Sequence, residues 1–283
     1  MQVTLSNQAV TYIHQEVFGT GEPILFLHGG PGCCHDSYAP FFKPLAERHQ
    51  VIYFDQIGCG KSDWNINFDY KINHDIEVIE AIRKKLGYAS LTIVGESWGT
   101  YLGLQYASLH PDKVKTLILL SCVGYNHKHL TRFGELLQSK LTPIDQKALE
   151  DLEREHKENS IDVQQYSKQC QDIYNKYYLY DVDNASLLID QPINFEHHYR
   201  VVNLFDEQLD FIQRKDTLKR VDIHMYQAEH DIITPREITK TLVAQIEPTS
   251  FTRVPDCGHW LYLEQKDYIN TEITRIVADN KLY

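Results

Sequence analysis

The sequence predicts an α/β fold with a mainly parallel central sheet, helices on both faces and a helical cap insertion. Short apolar runs alternate with helical patterns along much of the 283-residue chain. This alternation is typical of right-handed β-α-β units, whose strands run parallel. The interval 125–215 differs because it is polar, densely charged and helical in pattern. We therefore predict a core of residues 1–124 and 216–283 and a cap of residues 125–215.

The strands are predicted from composition and period. Residues 3–18 alternate loosely between apolar and polar, which favours a β-hairpin that turns near Asn7. The run at 23–27 is continuously apolar, as expected for a strand covered on both faces, and the later runs are mostly apolar. These runs lie at 23–27, 51–54, 91–94, 114–120, 223–226 and 251–254.

Apolar residues at helical spacing predict the helices. Isoleucines every three or four residues indicate an amphipathic helix over 72–86, and Gly87 is placed to end it. Thr234, followed by Pro and then by Glu three residues on, begins another helix through a capping box. The other core helices are predicted at 36–49, 100–108 and 265–283.

Composition and charge limit the classes of protein to consider. Hydrophobic residues make up 42% of the chain, which favours a packed core over disorder. A net charge of −11 without a basic stripe argues against a nucleic-acid partner. No segment reaches the roughly 18 apolar residues of a membrane span, and the amino terminus lacks a signal-peptide pattern, so we expect a cytoplasmic protein with no membrane partner. The six cysteines have no CxxC spacing, so we expect reduced thiols and no metal; the oligomeric state is left open.

One stretch carries the clearest chemical signal. Gly-Glu-Ser-Trp-Gly at 95–99 stands between a predicted strand and a predicted helix. In this setting Gly-x-Ser-x-Gly is the nucleophile-elbow pattern, a tight turn that lifts the serine hydroxyl above the sheet edge. Gly95 and Gly99 would let strand and helix approach closely. Ser97 is the predicted nucleophile.

A serine hydroxyl needs a base, and the base needs an acid that orients it. Asp231 follows the first strand after the insertion, and His259 follows the next strand in a Gly-His loop. Both fall at the carboxyl ends of strands, where ligand sites of such sheets lie. We therefore predict His259 as base and Asp231 as acid, with Glu229 and Asp256 as competing candidates for the acid.

The reaction would also need two N–H donors for a developing oxyanion. The residue after the nucleophile, Trp98, is one candidate. The loop after the strand at 23–27 reads His-Gly-Gly-Pro-Gly and supplies the other, for which we favour Gly30. His28 is interpreted as a structural turn histidine.

Four motifs together resemble one family. They are His-Gly-Gly-Pro-Gly at 28–32, Asp-Gln-x-Gly-x-Gly-x-Ser at 55–62, Gly-x-Ser-Trp-Gly at 95–99 and Gly-His at 258–259. In this order, and with the triad order Ser, Asp, His, they resemble the proline iminopeptidase group of α/β-hydrolases. The resemblance implies the α/β-hydrolase fold and release of an unblocked amino-terminal proline from short peptides. It implies no metal and no organic cofactor.

In the cap, Glu-His-His-Tyr at 196–199 resembles a family segment whose glutamate binds the substrate's amino group. By this resemblance Glu196 is a substrate-binding candidate and Glu207 a second one, while a solvated helix carboxylate is the alternative for Glu196. Three features depart from the family pattern: Glu96 before the nucleophile, the Cys33-Cys34 pair and the Ala-Glu-His-Asp acid loop.

The functional prediction is a serine hydrolase that forms an acyl-enzyme on Ser97 and releases an unblocked amino-terminal proline or small residue. The alternative is a general carboxylester, lactone, amide or C–C hydrolase on the same scaffold. A third possibility, a catalytically silent receptor for a small ligand, is disfavoured by the complete set of Ser, Asp and His. A small molecule or a short peptide is the expected substrate.

Overall fold

The computed structural model describes residues 1–65, 67–203 and 211–279. Within these ranges two strands form a separate ribbon and seven build the central sheet. The strands are β1 (Gln2–Thr4), β2 (Val10–Tyr12), β3 (Gln15–Phe18), β4 (Glu22–Leu27), β5 (His49–Phe54), β6 (Leu91–Glu96), β7 (Val114–Leu120), β8 (Asp222–Ala228) and β9 (Ser250–Val254).

Helices of very different length connect these strands. Those of the core are α1 (Ala39–Phe42), α2 (Ile72–Leu86), α3 (Trp98–Leu109), α8 (Lys215–Leu218), α9 (Pro235–Ile238), α10 (Ala244–Ile246), α11 (Leu261–Glu264) and α12 (Lys266–Asp279). Between β7 and β8 lie α4 (His127–Lys140), α5 (Pro143–Lys157), α6 (Val163–Tyr178) and α7 (Phe195–Asn203).

The seven-stranded sheet has the order β3-β5-β4-β6-β7-β8-β9. Only β3 is antiparallel to its neighbour; every other pair of adjacent strands is parallel. The chain goes from β4 outward to β5 and returns to β6 on the other side of β4. That reversal of direction creates a crevice at the carboxyl ends of β4 and β6, where such sheets bind ligands.

Alternation along the central strands supplies two apolar cores. Leu25 and Leu27 of β4 pack with α2 and α3 on one face of the sheet. Ile24 and Phe26 of the same strand pack with α1, α11 and α12 on the other. Because successive side chains of a strand point to opposite faces, a continuously apolar run is what a sheet covered on both sides requires.

Several predicted elements of the core are confirmed, but the helix predicted at 36–49 is wrong: short 3₁₀ turns flank α1 (Ala39–Phe42), and His49 begins β5. The helix of 72–86 has the predicted bounds and ends at Gly87, whose φ of 78° is left-handed. Thr234 accepts a hydrogen bond from the Glu237 N–H, as its capping box predicts. The strand at 114–120 also has the predicted bounds.

The amino-terminal prediction is wrong in its second half. The ribbon of β1 and β2 ends at Tyr12, and Gln15–Phe18 pairs with β5 at the edge of the main sheet. The chain changes partner at Ile13, which is fully buried and donates its N–H to the Met1 carbonyl. Alternating polarity could not reveal this, because a strand of a ribbon and an edge strand share the same period.

The helices between β7 and β8 contact the loops at the carboxyl edge of the sheet. Asn194 donates its backbone N–H to the Gly32 carbonyl and its side-chain amide to the Gly58 carbonyl. At the end of α6, the Tyr178 carbonyl accepts the backbone N–H of His259. The division into a core and a cap at 125 and 215 remains a prediction.

No helix among the described residues is both long and apolar enough to cross a membrane.

Candidate active site

The predicted elbow has the geometry of a strained turn between β6 and α3. Ser97 has φ 50° and ψ −115°, a backbone conformation that residues with a side chain rarely adopt. A Cβ on Gly99 would stand 2.1 Å from the Leu27 carbonyl oxygen, and one on Gly95 would stand 2.5 Å from the Gly99 carbonyl oxygen. Both positions therefore require glycine, and the turn holds Ser97 at the end of β6.

Three predicted residues from distant parts of the chain lie in one hydrogen-bonded line. The Ser97 Oγ is 2.9 Å from the His259 Nε2, and the His259 Nδ1 is 2.8 Å from the Asp231 Oδ1. Asp231 and His259 are buried, and Ser97 is half-buried. With its Nδ1 proton donated to Asp231, His259 presents Nε2 to accept the serine proton.

The carboxylate of Asp231 is held in place by two further donors. The Ile232 N–H donates to its Oδ1 at 2.6 Å, and the Gln227 side-chain amide donates to its Oδ2 at 2.7 Å. The competing candidates Glu229 and Asp256 are exposed. The structure thus brings Asp231, and neither competitor, against His259.

The charges around His259 make its imidazole more basic. Burial alone would lower the pKa of His259, but the charge of Asp231 and its hydrogen bond outweigh burial and raise the pKa above its ordinary value. The geometry accounts for this, because the imidazolium form would be a charge-assisted partner of a buried carboxylate.

The loop after β4 lies against the nucleophile. A Cβ on Gly29 would stand 3.3 Å from the Ser97 Cβ, and Gly30 has a φ of 127°. His28 is fully buried, donates Nδ1–H to the Gly29 carbonyl and accepts the Gln56 N–H at Nε2. Burial lowers the pKa of His28 to about 4, so it is neutral, in line with the structural role expected for it.

Gln56 connects this loop to the elbow. Its side chain donates to the His28 carbonyl at 2.8 Å and accepts the indole N–H of Trp98 at 3.2 Å. Trp98 is the first residue of α3, so its backbone N–H belongs to the positive end of the helix next to Ser97.

Glu96 is a buried carboxylate next to the nucleophile. The Gly29 N–H donates to it, whereas Oε1 has no hydrogen-bond partner in the described residues. Its Oε2 and the Ser97 Cβ lie 2.3 and 3.3 Å from the point where a Gly29 Cβ would be. Burial raises the pKa of Glu96 to about 7, with His259 lowering it and Asp231 raising it.

Aromatic rings from the inserted helices lie on the catalytic histidine candidate. The ring of Phe133 in α4 is 5.2 Å from the His259 ring, centroid to centroid, in an edge-on arrangement. The ring of Tyr178 in α6 is 5.5 Å from His259 and 5.0 Å from Trp260. Gly258 permits this approach, because a Cβ there would stand 2.2 Å from the Tyr178 carbonyl oxygen.

Of the two substrate-binding candidates, the structure describes Glu196, and it does not bring Glu196 to these three residues. Glu196 lies on α7 with an exposed side chain, and none of the described contacts joins it to Ser97. Its neighbours reach the core instead: His198 is hydrogen-bonded to the Pro31 carbonyl, and His197 is buried against Trp64. Glu207 lies outside the described residues.

Sequence reasoning missed several residues that surround the line. The sequence marks Glu96 only as a departure from a family pattern and does not predict that this carboxylate is buried. Gln227 lies in β8, four residues before Asp231 of the following loop, where a polar side chain near the end of the strand could have marked it. Phe133 and Tyr178 gave no signal, because aromatic residues on a helix usually serve packing.

Comparison with known proteins agrees with the fold. A family model described as the alpha/beta hydrolase fold matches residues 22–266. A proline iminopeptidase of Arabidopsis thaliana is 25% identical over 280 residues, covering 90% of this chain and 73% of that protein. This relative confirms the resemblance that the four motifs indicate.

Two solved structures share the architecture. A proline iminopeptidase of Mycobacterium smegmatis superposes with a TM-score of 0.69 at 20% identity, over 100% of this chain and 98% of that one. A thermophilic esterase from Thermogutta terrifontis, solved with malate bound, gives 0.64 at 17% identity over 99% and 98%. Likeness at this distance speaks for the fold alone. Because the family model spans most of its length, the chain belongs to the α/β-hydrolase fold family.

Proposed function

We propose that the protein is a serine hydrolase that releases an unblocked amino-terminal proline or small residue from short peptides. The observation that carries the proposal is the continuous line from the Ser97 Oγ through His259 to the Asp231 carboxylate, at 2.9 and 2.8 Å. A serine within hydrogen-bond reach of a base that an acid orients is the arrangement needed for nucleophilic catalysis.

The chemistry follows from these positions. The Ser97 Oγ attacks the substrate carbonyl carbon while its proton passes to the His259 Nε2. His259 then gives that proton to the departing amine as the C–N bond breaks, which leaves an ester on Ser97. A water molecule next loses a proton to His259 and attacks the ester, and Ser97 recovers its proton as the acid product leaves.

The oxyanion donors are proposed from what surrounds them. Trp98 offers its backbone N–H at the start of α3, directly after the nucleophile. In the loop after β4 the Gly29 N–H is engaged by Glu96, so Gly30 is the better second donor. These are the two donors expected from the sequence.

Preference for a free amine requires a carboxylate that faces the substrate. A protonated amine that enters a site closed off by aromatic rings loses hydration, which is costly unless an acid compensates it. Glu196 is the candidate from family resemblance, but its side chain is exposed. Glu96 is the candidate from geometry, because it is buried beside Ser97 and has one oxygen without a partner.

Two matched variants separate these candidates. A charge-assisted hydrogen bond contributes on the order of 1.5–3 kcal/mol, or roughly 10- to 150-fold in kcat/KM. If Glu96 binds the amine, Glu96→Gln should lower kcat/KM by about this factor on a prolyl anilide and change little on a small neutral ester. Glu196→Gln should then behave as wild type on both substrates.

If Glu196→Gln lost activity on the prolyl anilide alone and Glu96→Gln behaved as wild type, Glu196 would be the amine ligand. Equal losses on both substrates in Glu96→Gln would mean that Glu96 only positions the Gly29 loop. If the wild type hydrolyses the ester but no free-amine anilide, the aminopeptidase proposal is wrong and the general hydrolase stands.

The general carboxylester or amide hydrolase is the second candidate. It is favoured by the exposed side chain of Glu196, because the carboxylate that the family resemblance assigns to the substrate amine is not brought to Ser97. Prolyl, alanyl and N-blocked prolyl anilides, assayed beside a short acyl ester, distinguish the two candidates. An aminopeptidase cleaves only the unblocked anilides.

A further inference from the structure

A second cluster of titratable side chains lies near edge strand β3, outside the proposed mechanism. His14 precedes β3 and Glu16 lies within it, at the antiparallel edge of the sheet. His35 stands in a short turn after the loop of β4, and one ligand atom from each of the three lies within 4.8 Å of the others.

The local sequence explains how the edge strand presents two ligands. Side chains two residues apart on an extended chain point to the same face. The His-Gln-Glu segment at 14–16 therefore places an imidazole and a carboxylate side by side, and the His14 Nε2 is 3.2 Å from the Glu16 Oε1. The ring of His35 is stacked on that of His14, with centroids 5.6 Å apart.

His35 supplies the observation that points to a ligand. Its side chain is 1% exposed, and its Nδ1 is 2.7 Å from the Asp55 Oδ1, to which it donates. Its Nε2 is buried without a hydrogen-bond partner among the described residues. That nitrogen faces the Asp36 Oδ1 at 3.4 Å and the Glu16 Oε2 at 3.7 Å.

A lone pair that faces two carboxylates needs a cation between them, either a proton or a metal ion. Asp55, Asp36 and Glu16 carry three negative charges, and Lys61 compensates one of them. With both histidines neutral, two negative charges remain, which is the charge a divalent cation neutralises. The Lys61 side chain is 55% exposed, so it can move away from an incoming ion.

The spacing also suits a metal. Zinc–nitrogen and zinc–oxygen bonds of about 2.0–2.2 Å, arranged tetrahedrally, place neighbouring ligand atoms about 3.3–3.6 Å apart. The His14 Nε2 is 3.2 Å from one Glu16 oxygen, close to this range, and the His35 Nε2 is 3.7 Å from the other, slightly beyond it. The Asp36 Oδ1, at 3.4 Å from the His35 Nε2, also lies within this range. The carboxylate of Asp55 on the Nδ1 of His35 matches the way proteins orient a histidine that binds metal through Nε2.

We propose that His14, Glu16 and His35 bind a divalent transition-metal ion of the zinc type, with Asp36 as the nearest further ligand and Asp55 as the group that orients His35. The ion would connect edge strand β3 to the turn at 35–37 and add to the stability of the folded chain. It takes no part in the chemistry proposed for Ser97. Two imidazoles and a carboxylate are a ligand set that zinc accepts.

Calorimetric titration of metal-free protein with zinc chloride tests the proposal. We expect one saturable site per chain, a rise in melting temperature with zinc, and proton release as the metal displaces a proton from His35. His14→Ala and Glu16→Gln should each weaken zinc binding at least about tenfold. Both residues lie at the partly exposed side of the cluster, so the contact between His35 and Asp55 stays intact.

His224→Ala is the matched control. His224 and Asp222 are also a histidine and an acid two residues apart on a strand, with Nε2 and Oδ2 at 3.1 Å, but the other ring nitrogen bonds Ser250. This variant should bind zinc as wild type does. Cobalt in place of zinc should give the visible bands of a tetrahedral site without a thiolate charge-transfer band.

Three outcomes overturn the proposal. One is the lack of a saturable site in the wild type, which would mean that a proton on His35 satisfies the cluster. Another is unchanged zinc affinity in both His14→Ala and Glu16→Gln. The third is a cobalt spectrum with a thiolate band, which would place the metal on a cysteine.

Discussion

Ser97 combines a strained backbone with the proposed role of nucleophile. Its φ of 50° costs on the order of 1–3 kcal/mol for a residue with a side chain. Two backbone hydrogen bonds hold the conformation: the Ser97 N–H donates to the Leu120 carbonyl, and the Thr100 N–H donates to the Ser97 carbonyl. Because strand and helix fix the turn from both sides, the hydroxyl should stay aimed at His259 without help from the substrate.

The first prediction concerns the three residues of the proposed triad. Ser97→Ala, His259→Ala and Asp231→Asn should each lower kcat by roughly 10³-fold or more, and pairs should not add, because the three handle one proton as a unit. Steady-state kinetics on the best anilide measures this.

Two variants serve as controls for the acid. Glu229→Gln and Asp256→Asn change exposed carboxylates in the same loops and should keep near-native turnover. If either control lost activity while Asp231→Asn retained it, the assignment of the acid would be wrong.

A second prediction follows from the raised pKa of His259. The base must be neutral, so kcat/KM should increase with pH as the imidazole loses its proton, and a raised pKa moves that increase toward alkaline pH. Asp231→Asn removes the charge that raises the pKa, so the residual activity should reach its plateau at lower pH. A pH profile on the neutral ester measures this, because that substrate does not titrate.

If kcat/KM of Asp231→Asn increased over the same pH range as in the wild type, a group other than His259 would control that increase. Glu96, with a pKa near 7, is the neighbouring group to examine next. A profile of Glu96→Gln identifies its contribution directly.

A third prediction concerns thiol reagents, whose inhibition should be steric. Of the three cysteines near the site, Cys33 is half-buried, whereas Cys34 and Cys257 are buried. Burial raises the pKa of Cys33 to about 12, so its alkylation should be slow at neutral pH. Cys33→Ala should be active and resistant to a bulky maleimide, and Cys34→Ala should remain as sensitive as wild type. Loss of activity in a folded Cys33→Ala protein would reveal a role beyond steric access.

At the scale of elements, the sequence predicts those helices and strands whose formation depends on residues close together in the chain. The isoleucine spacing predicted α2 because its buried face is set by the helical period, and Gly87 ends it through a left-handed residue. The edge strand β3 was misassigned because its partner, β5, is distant in sequence. Pairing over such distances depends on the assembled sheet.

Two glycines test whether backbone conformation is what requires glycine at the end of α2. Gly87 and Gly134 both have open space where a Cβ would be, but only Gly87 has a positive φ. Gly87→Ala should destabilise the protein by about 1–2 kcal/mol, because a left-handed residue with a Cβ is strained. Gly134→Ala, inside α4, should stabilise it by about 0.5–1 kcal/mol.

Urea denaturation of the two variants measures the free energy of unfolding. Since neither new methyl group meets an atom within 4 Å, a difference in sign can only come from the backbone. Equal effects in both variants would contradict this explanation.

At the scale of the whole molecule, the parallel sheet is what made the candidate site predictable. Ser97, Asp231 and His259 each follow a strand, and parallel strands bring their carboxyl ends to one edge, so the sequence alone placed the three together. Contacts that depend on the inserted helices could not be predicted in this way. Glu196 was chosen from a short resemblance, yet neighbouring residues of α7 face the core and Glu196 is exposed.

The burial of Glu96 could not be predicted from the sequence either. Whether a carboxylate beside the nucleophile is buried depends on the Gly29 loop folding over it, which no local pattern reports. The helices between β7 and β8 add the rings of Phe133 and Tyr178, which lie against His259. The motifs therefore predict the proposed chemistry of the site, whereas the proposed selectivity would depend on tertiary contacts.

The central claim is an acyl-enzyme on Ser97 formed from a free amino-terminal residue. The most direct measurement is mass spectrometry of protein quenched in acid during turnover of an activated prolyl ester. We expect a mass gain of one prolyl residue on the peptide that contains Ser97, no gain in Ser97→Ala, and little gain with the N-acetylated ester. A gain on any other residue, or equal labelling by the N-acetylated ester, would contradict the account.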